Sequence, residues 1–369
     1  GTRPEIIRLS RVPALLDQFC EHVLVHTGQN YDYELNQVFF DDLGVRKPDH
    51  FLDSAANSVS AAQTIGNLII AVDRVLEQER PEAMLVLGDT NSCLSVIPGK
   101  RRKIPVFHME AGNRSFDENV PEESNRRMVD HVSDFNLPYN EYSKRNLLNE
   151  GIHPRRLMMT GSPMREIFEH HLADVQASNV LDELKLQPQG YFLVSAHRQE
   201  NVDVPARLQD LLDSLKAIHT EWKLPVLVST HPRTRKKLEQ LPGYAETPGV
   251  IFHEPFGFLA YNKLQINAKA VISDSGTISE ESSILGFPAV TIRDSIERPE
   301  AIDVGAMIMV GLKANEIING LNEVIANPPK EDRVLPQGYE VKNFSERVVR
   351  FILSTYGRHH EWAGIRKLG

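Results

Sequence analysis

Short runs of consecutive apolar residues recur along the chain, and each ends in a polar, basic or glycine-containing turn. The runs cover 22–28, 83–89, 104–110, 191–197, 225–231, 249–254 and 270–274. Amphipathic stretches typical of helices, such as 59–79 and 207–222, lie between them. Continuous apolar strands that alternate with helices indicate parallel sheets covered on both faces. The pattern therefore predicts an α/β fold built from doubly wound sheets.

The length and one change of pattern predict two domains. A chain of 369 residues is too long for a single hydrophobic core of ordinary size. The proline-containing stretch near 161–174 interrupts the alternation, so we expect the hinge there. The predicted domains are 1–163 and 164–354. A final helix near 345–356 is expected to pack back across both halves, with 355–369 returning to the first domain.

Charge and cysteine content narrow the class of protein. The formal net charge is −9, which gives no support to binding of nucleic acid or of an anionic membrane. Cys20 and Cys93 are well separated and lack metal-ligand spacing, as expected of a reduced cytoplasmic protein. No apolar run reaches the roughly 18 residues that span a bilayer, and no signal peptide is recognisable.

Several cofactor and metal motifs are missing from the sequence. It contains no G-x-G-x-x-G after a strand, no Walker A loop, no H-E-x-x-H and no C-x-x-C pair. We therefore expect neither a cofactor nor a metal site. The abrupt start GTRPE is typical of the exit of a strand whose apolar residues lie outside the given sequence.

The turn after the run 270–274 is a candidate phosphate site. Asp274 ends the run, and Ser275, Gly276 and Thr277 open a predicted helix. The first N–H groups of a helix carry partial positive charge, which suits a diphosphate, and glycine allows close approach of an anion. Glu281, further along this helix, is suited to accept hydrogen bonds from sugar hydroxyls. Plain helix capping by the serine is the alternative interpretation.

Chemistry-bearing side chains also follow other predicted strands. In parallel sheets, ligands bind at the carboxyl ends of the strands. The residues that fall there are Asp89, Glu110, His197, His231 and Ser275.

Short motifs in a fixed order resemble the non-hydrolysing UDP-N-acetylglucosamine 2-epimerase family. They are GTRPE at 1–5, GDT at 88–90, EAGNR at 110–114, PEESNR at 121–126, HRQEN at 197–201, SDSG at 273–276 and ERPE at 297–300. The resemblance covers nearly the whole chain. It implies a GT-B type fold, in which two doubly wound Rossmann-like domains face each other across a cleft. It also implies inversion of C2 of a UDP-linked 2-acetamido sugar by elimination and re-addition of UDP, and we expect a homodimer.

Departures from the common family pattern resemble one branch. Much of the family has Lys at the position of Arg8, Leu at that of Asn113 and Gly at that of Thr277. The branch with the residues seen here makes UDP-N-acetyl-L-fucosamine from UDP-2-acetamido-2,6-dideoxy-L-talose, for capsule or O-antigen polysaccharide. The alternatives are conversion of UDP-N-acetylglucosamine to UDP-N-acetylmannosamine, a glycosyltransferase of the same fold, and a catalytically idle sensor of sugar nucleotides.

The chemistry assigns roles to the candidate residues. The C2 proton of a 2-acetamido sugar has no adjacent carbonyl, so it becomes acidic only as the diphosphate leaves C1. Carboxylates must then move the proton, and Asp89, Glu110 and Glu122 are the candidates. His197 is the fourth catalytic residue and is expected to stabilise the departing diphosphate. The predicted UDP-binding residues are Arg3, Arg8, His231, Tyr261, Ser275, Gly276, Thr277, Glu281 and Arg298.

Each role has a simpler structural alternative. Asp89 follows a strand and precedes a helix, where a cap is the usual role of an aspartate. Glu122 and Glu123 lie in the first turn of a predicted helix, where they interact favourably with its dipole. Arg3 and Arg298 are alternatively ordinary ion pairs, and Tyr261 is alternatively core material.

Overall fold

The apolar runs of the sequence form the strands of parallel sheets in the computed structural model. It describes residues 3–28, 39–56, 58–230, 232–241, 243–244, 247–295 and 297–366. The strands are β1 (Val25–His26), β2 (His50–Phe51), β3 (Met84–Leu87), β4 (Val106–Met109), β5 (Phe135–Leu137), β6 (Phe192–Ser195), β7 (Val226–Ser229), β8 (Val250–His253), β9 (Ala270–Ser273), β10 (Ala289–Thr291) and β11 (Ile308–Met309).

Helices follow most strands. They are α1 (Arg3–Leu9), α2 (Arg11–Phe19), α3 (Ala61–Glu79), α4 (Val96–Arg101), α5 (Pro121–Val132), α6 (Glu141–Asn149), α7 (Met164–Ala177), α8 (Val180–Glu183), α9 (Gln199–Val202), α10 (Pro205–Trp222), α11 (Pro232–Leu238), α12 (Phe258–Asn267), α13 (Ile278–Leu285), α14 (Pro299–Asp303), α15 (Ala314–Ala326), α16 (Phe344–Thr355) and α17 (His359–Trp362). Residues 39–43 are also helical, and short 3-10 turns lie at Asn91–Ser95, Pro154–Arg156 and Tyr356–Arg358.

The chain divides into two compact units. Unit 1 is Gly1–Glu169 with Gln337–Gly369, and unit 2 is His170–Pro336. The chain therefore returns to unit 1 at Gln337, whereas the sequence predicts the return at residue 355. The earlier return is due to apolar packing, because Val341, Phe344 and Val348 are buried in the same core cluster as strands β4 and β5.

Unit 2 contains a six-stranded parallel sheet in the order β11-β10-β9-β6-β7-β8. Counted from β6, this is the 3-2-1-4-5-6 order of a dinucleotide-binding fold. Strand β6 is buried along its length, and α10 packs Leu208, Leu211 and Leu215 into the same core cluster. The order reverses between β6 and β9, and this is where such sheets bind ligands.

Unit 1 contains the three-stranded parallel sheet β3-β4-β5 and the parallel pair β1-β2. Every residue of β4 is fully buried or nearly so, and Phe107 stacks on Phe135 of β5. The amphipathic stretch predicted at 59–79 is α3, and Ser60 caps it by accepting a hydrogen bond from the Gln63 amide at 3.1 Å. None of the helices in the described ranges is long and apolar enough to cross a membrane.

Candidate active site

His197 and the 275–277 turn lie at the point where the unit 2 sheet reverses its strand order. Strands β6 and β9 pair in parallel, with Ser195 opposite Ser273. His197 follows β6 and Ser275 follows β9, so two residues distant in sequence emerge at the same sheet edge. The register of β6 and β9 therefore places the two turns at the same edge, where the sequence predicts them.

Asp274 joins these two turns. Its carboxylate is fully buried and accepts hydrogen bonds from the amides of His197 and Arg198 at 3.0 Å and from Asn201 Nδ2 at 3.0 Å. The His197 ring is 43% exposed, and its Nδ1 lies 3.1 Å from Asp274 Oδ1. Burial alone would raise the pKa of Asp274, but His197, the Arg198 amide and Asn201 together hold that pKa below its ordinary value. Asp274 is therefore ionised, and its carboxylate holds the His197 turn in place.

The side chains of Ser275 and Thr277 hold the helix start beyond Asp274. Thr277 is the N-cap residue of α13, yet its backbone is helical and its side chain makes no cap hydrogen bond. Ser275 Oγ lies 2.9 Å from Thr277 Oγ1 and accepts from the Thr277 amide at 3.3 Å. Ser275 Oγ thus accepts from an amide at the helix start, as capping by the serine predicts, and the two hydroxyls hold the turn together.

A basic cluster surrounds Gly276. A Cβ on this glycine would lie 3.7 Å from Arg293 Nη1 and 3.8 Å from Arg198 Nη2. Both guanidinium groups donate to Glu297 Oε2, at 2.9 and 3.2 Å. Burial, together with the nearby charge of Arg198, lowers the pKa of Arg293 against the opposing effect of Glu297. The two cations share this carboxylate beside the helix start, and Arg198 Nη1 also lies 3.8 Å from Glu200 Oε1.

The cluster opens into a groove. Its lining includes Ser275, Gly276, Ser279, Thr291, Arg293, Ser295, Glu297 and Arg298. Among these, Ser275, Gly276 and Arg298 are UDP ligands that the sequence predicts. Arg293 was not predicted, although it lies only a few residues before the ERPE motif.

Three predicted UDP ligands, including Arg298 of the groove, have partners inside unit 2. Arg298 is buried, with Nη1 3.4 Å from Glu280 Oε2, and Glu281 Oε2 accepts from Gln265 Nε2 at 2.6 Å. Tyr261, on α12, is half-buried and packs against the second apolar cluster of the unit. These contacts agree with the simpler alternatives, in which Arg298 forms an ion pair and Tyr261 packs in the core. His231 and the Arg3 side chain lie outside the described part of the chain.

In unit 1, Asp89 and Glu110 come from neighbouring strands. Strands β3 and β4 pair in parallel, with Leu87 opposite Met109, so both carboxylates emerge at one sheet edge. Thr90, not Asp89, is the N-cap residue of the 3-10 turn that follows. Asp89 instead forms an ion pair with Arg126. Arg126 is buried, and sequence reasoning did not assign it.

Glu110 is held in an unusual backbone conformation. Its φ is +63°, in the left-handed region that costs a residue with a side chain about 1 to 2 kcal/mol. The side chain is only 6% exposed and forms an ion pair with Arg8, which is equally buried. Asn113 Nδ2 donates to Glu110 Oε1 at 3.3 Å. Arg8, predicted to bind UDP, is therefore a direct partner of Glu110.

Glu122 and Glu123 have opposite environments at the start of α5. Pro121 is the first helical residue, and Glu122 is exposed to solvent. Glu123 is 1% exposed, and its Oε2 accepts from the Ser115 amide at 2.9 Å and from Ser115 Oγ at 3.1 Å. Arg127 Nη2 lies 2.9 Å from Glu123 Oε1. The buried, fully bonded glutamate is thus the one that sequence reasoning did not select.

A buried charged network supports both strand ends. His108 Nε2 lies 2.7 Å from Gly88 O, directly before Asp89, and His108 Nδ1 lies 2.8 Å from Asp130 Oδ1. Asp130 Oδ2 lies 2.8 Å from Arg114 Nη2. Burial would raise the pKa of Asp130, but the His108 and Arg114 contacts hold that pKa below its ordinary value. The network therefore holds the backbone at the ends of β3 and β4, next to Asp89 and Glu110.

Comparison with known proteins identifies the family. The model of the UDP-N-acetylglucosamine 2-epimerase family matches residues 15–353. The chain belongs to this family. The UDP-N-acetylglucosamine 2-epimerase from Rickettsia bellii has a similar structure, with a TM-score of 0.92 and 44% identity over 99% of this chain and 98% of that chain. The predicted epimerase class and the GT-B type fold with two Rossmann-like domains are confirmed.

Two further relatives of the family carry different substrates in their names. The UDP-GlcNAc 2-epimerase from Methanocaldococcus jannaschii, solved in complex with UDP-GlcNAc and UDP, has a TM-score of 0.88 and 33% identity over 96% of this chain and 98% of that chain. A UDP-2,3-diacetamido-2,3-dideoxy-D-glucuronate 2-epimerase from Pseudomonas aeruginosa is 31% identical over 95% of this chain and 97% of its own length. Similarity of this degree therefore leaves the sugar open within the family.

Proposed function

We propose that the protein inverts C2 of a UDP-activated 2-acetamido sugar by eliminating UDP and adding it back. In the first step the C1–O bond breaks and its electron pair leaves on the diphosphate. The C2–H electron pair becomes a C1=C2 double bond as a carboxylate takes the proton. In the second step a carboxylate on the opposite face adds a proton to C2, and a diphosphate oxygen bonds to C1 again.

The observation that carries the proposal for the leaving group is the basic cluster at the strand-order reversal of unit 2. The start of α13 and the guanidinium groups of Arg198 and Arg293 supply donors and positive charge where negative charge grows. His197, held by Asp274, adds a partly exposed ring to the same edge. In our proposal this cluster binds the diphosphate, with Ser275, Gly276 and Thr277 at the helix start.

The paired carboxylates of unit 1 support the proton-transfer part. Asp89 and Glu110 emerge side by side, and each has an arginine partner that stabilises its charge. Charged carboxylates are competent to accept a proton from carbon and to return it. Glu122 remains a candidate for the same work, since it is exposed and thus open to a ligand.

For the sugar, we propose the 6-deoxy substrate UDP-2-acetamido-2,6-dideoxy-L-talose, giving UDP-N-acetyl-L-fucosamine for capsule or O-antigen polysaccharide. Support comes from the departures at Arg8 and Asn113, which both contact Glu110, and at Thr277, which contacts Ser275. The names of the Rickettsia and Methanocaldococcus relatives favour UDP-N-acetylglucosamine as the alternative.

Product analysis by NMR separates these functions. The purified protein is incubated with each UDP-sugar, and the C2 configuration and free UDP are followed over time. An epimerase gives the C2 epimer, a glycosyltransferase gives a glycoside only when an acceptor is added, and a sensor gives no product. A higher kcat/KM for the 6-deoxy sugar supports the branch assignment, whereas a higher value for UDP-N-acetylglucosamine refutes it. A hydroxyl that is merely excluded by an apolar pocket changes kcat/KM by at most about 100-fold, so weak activity on the second sugar is expected.

A further inference from the structure

The turn that carries Glu110 is fixed by close packing. Gly112 has a φ of +82°, and a Cβ there would lie 2.2 Å from Ser143 O, at the start of α6. Asn146 Nδ2 donates to Gly112 O at 3.0 Å. The left-handed backbone of Glu110 therefore persists because the residues after it are held against α6.

Asn113 is the side chain of this turn that reaches back to Glu110. It is 3% exposed, and its Nδ2 donates to Glu110 Oε1, while Arg8 pairs with Glu110 Oε2. Its backbone carbonyl accepts from Arg114 Nη1 at 2.7 Å and from Arg126 Nη1 at 3.2 Å. Asn113 is thus anchored by its main chain and presents its amide to one oxygen of the carboxylate.

Ser143 fixes which end of the amide faces Glu110. Its Oγ lies 2.6 Å from Asn113 Oδ1, and because an amide oxygen only accepts, the serine hydroxyl is the donor. Ser143 is itself held, since its amide donates to Asn140 Oδ1 at 2.8 Å at the N-cap of α6. The Asn113 Nδ2 donor is therefore directed at the carboxylate by a chain of hydrogen bonds that starts at the helix.

We propose that Asn113, oriented by Ser143, is a positioning residue for Glu110 in the epimerisation. This inference rests on the proposed acid and base role of Glu110. The hydrogen bond from Ser143 keeps Asn113 Nδ2 directed at Glu110. This donated hydrogen bond stabilises the ionised Glu110 carboxylate, which is the form that accepts a proton. An asparagine supplies this donor to the carboxylate, which an apolar residue does not.

A purely structural role of Asn113 makes a different prediction. If the amide only satisfies buried partners in the turn, its replacement lowers stability and leaves the rate per folded molecule unchanged. A positioning role lowers the rate of proton exchange at C2 without changing the affinity for UDP. The two readouts therefore separate the two roles.

The test compares matched variants in the full chain. Asn113→Asp keeps the shape and the acceptor for Ser143 but replaces the donor that faces Glu110 with a carboxylate oxygen, which repels Glu110. The double variant Asn113→Leu with Ser143→Ala removes the donor to Glu110 together with the hydroxyl that orients it, so the serine hydroxyl is not left without its acceptor. Ser143→Ala alone keeps the Asn113 donor, and Glu110→Gln is the reference for loss of the acid or base. Each is assayed for deuterium entry at C2 of the sugar in D2O, for UDP affinity by calorimetry and for melting temperature.

We expect Asn113→Asp and the double variant to exchange deuterium about 10- to 100-fold more slowly, the range for losing one hydrogen bond to a charged group, with unchanged UDP affinity. Ser143→Ala should lose less than the double variant. Wild-type exchange in both Asn113 variants, with Glu110→Gln inactive, would overturn the inference alone. Normal exchange in Glu110→Gln would overturn it together with the proposed role of Glu110.

Discussion

The two adjacent glutamates at the start of α5 allow a matched test of catalytic against structural roles. Glu122→Gln changes an exposed side chain, and Glu123→Gln changes a buried one with the same substitution in the same helical turn. If Glu122 transfers a proton, its amide should keep the fold and slow the reaction by at least about 100-fold. Its loss of a helix-dipole interaction should cost less than about 1 kcal/mol.

The magnitude for Glu123 follows from its contacts. The carboxylate accepts two hydrogen bonds from Ser115 and faces Arg127, and an amide presents a donor to one of these sides. Losing a hydrogen bond to a charged group costs about 2 to 3 kcal/mol. At about 2 to 4 °C for each kcal/mol in a unit of some 200 residues, the melting temperature should fall by roughly 4 to 12 °C.

The assay measures the melting temperature and the rate of deuterium entry at C2 on the same preparations. The expected result is a slow, stable Glu122→Gln and an active, destabilised Glu123→Gln. Normal exchange in Glu122→Gln would assign that residue to the helix and leave Asp89 and Glu110 as the proton-transfer residues. An unchanged melting temperature in Glu123→Gln would refute the energetic reasoning.

Three further predictions follow from the same contacts. His197→Ala should lower kcat by about 10- to 1,000-fold, the range for loss of one preorganised donor, and unchanged turnover with unchanged UDP affinity would exclude it. The pKa of Asp130 is lower in the folded state than its ordinary value of about 3.9, so its ionised form stabilises the fold fully above that value. Urea titrations should therefore show that the free energy of unfolding falls as the pH drops below about 4, and that it falls less in Asp130→Asn. Gly112→Ala should cost about 1 to 3 kcal/mol more than Gly44→Ala in urea unfolding, because both have positive φ but only Gly112 meets Ser143 O; equal costs would contradict this.

The predictable part of the site is the part set by strand ends. Parallel strands end at one edge, so the residues after each apolar run could be expected to gather there, as Asp89 with Glu110 and His197 with Ser275 do. The sequence also contains the signal for the basic cluster, since Arg198 lies within the HRQEN motif and Arg293 lies shortly before the ERPE motif.

The partners of these residues could not be predicted in the same way. Arg126 pairs with Asp89 from a helix 37 positions away, and Arg8 pairs with Glu110 across 102 positions. Neither pair has a periodic signature, because side-chain pairing depends on how helices pack on the sheet. The left-handed backbone of Glu110 also has no signal in residue type, since glutamate rarely adopts it.

The most direct test of the account is the fate of the C2 hydrogen. The wild-type protein is incubated in D2O with the UDP-2-acetamido sugar, and the C2 position of substrate and product is observed by NMR and mass spectrometry. Elimination and re-addition of UDP predict one deuterium at C2 of the epimer, and the same exchange lost in Glu110→Gln. An epimer that retains its original C2 hydrogen would contradict the proposed proton transfer.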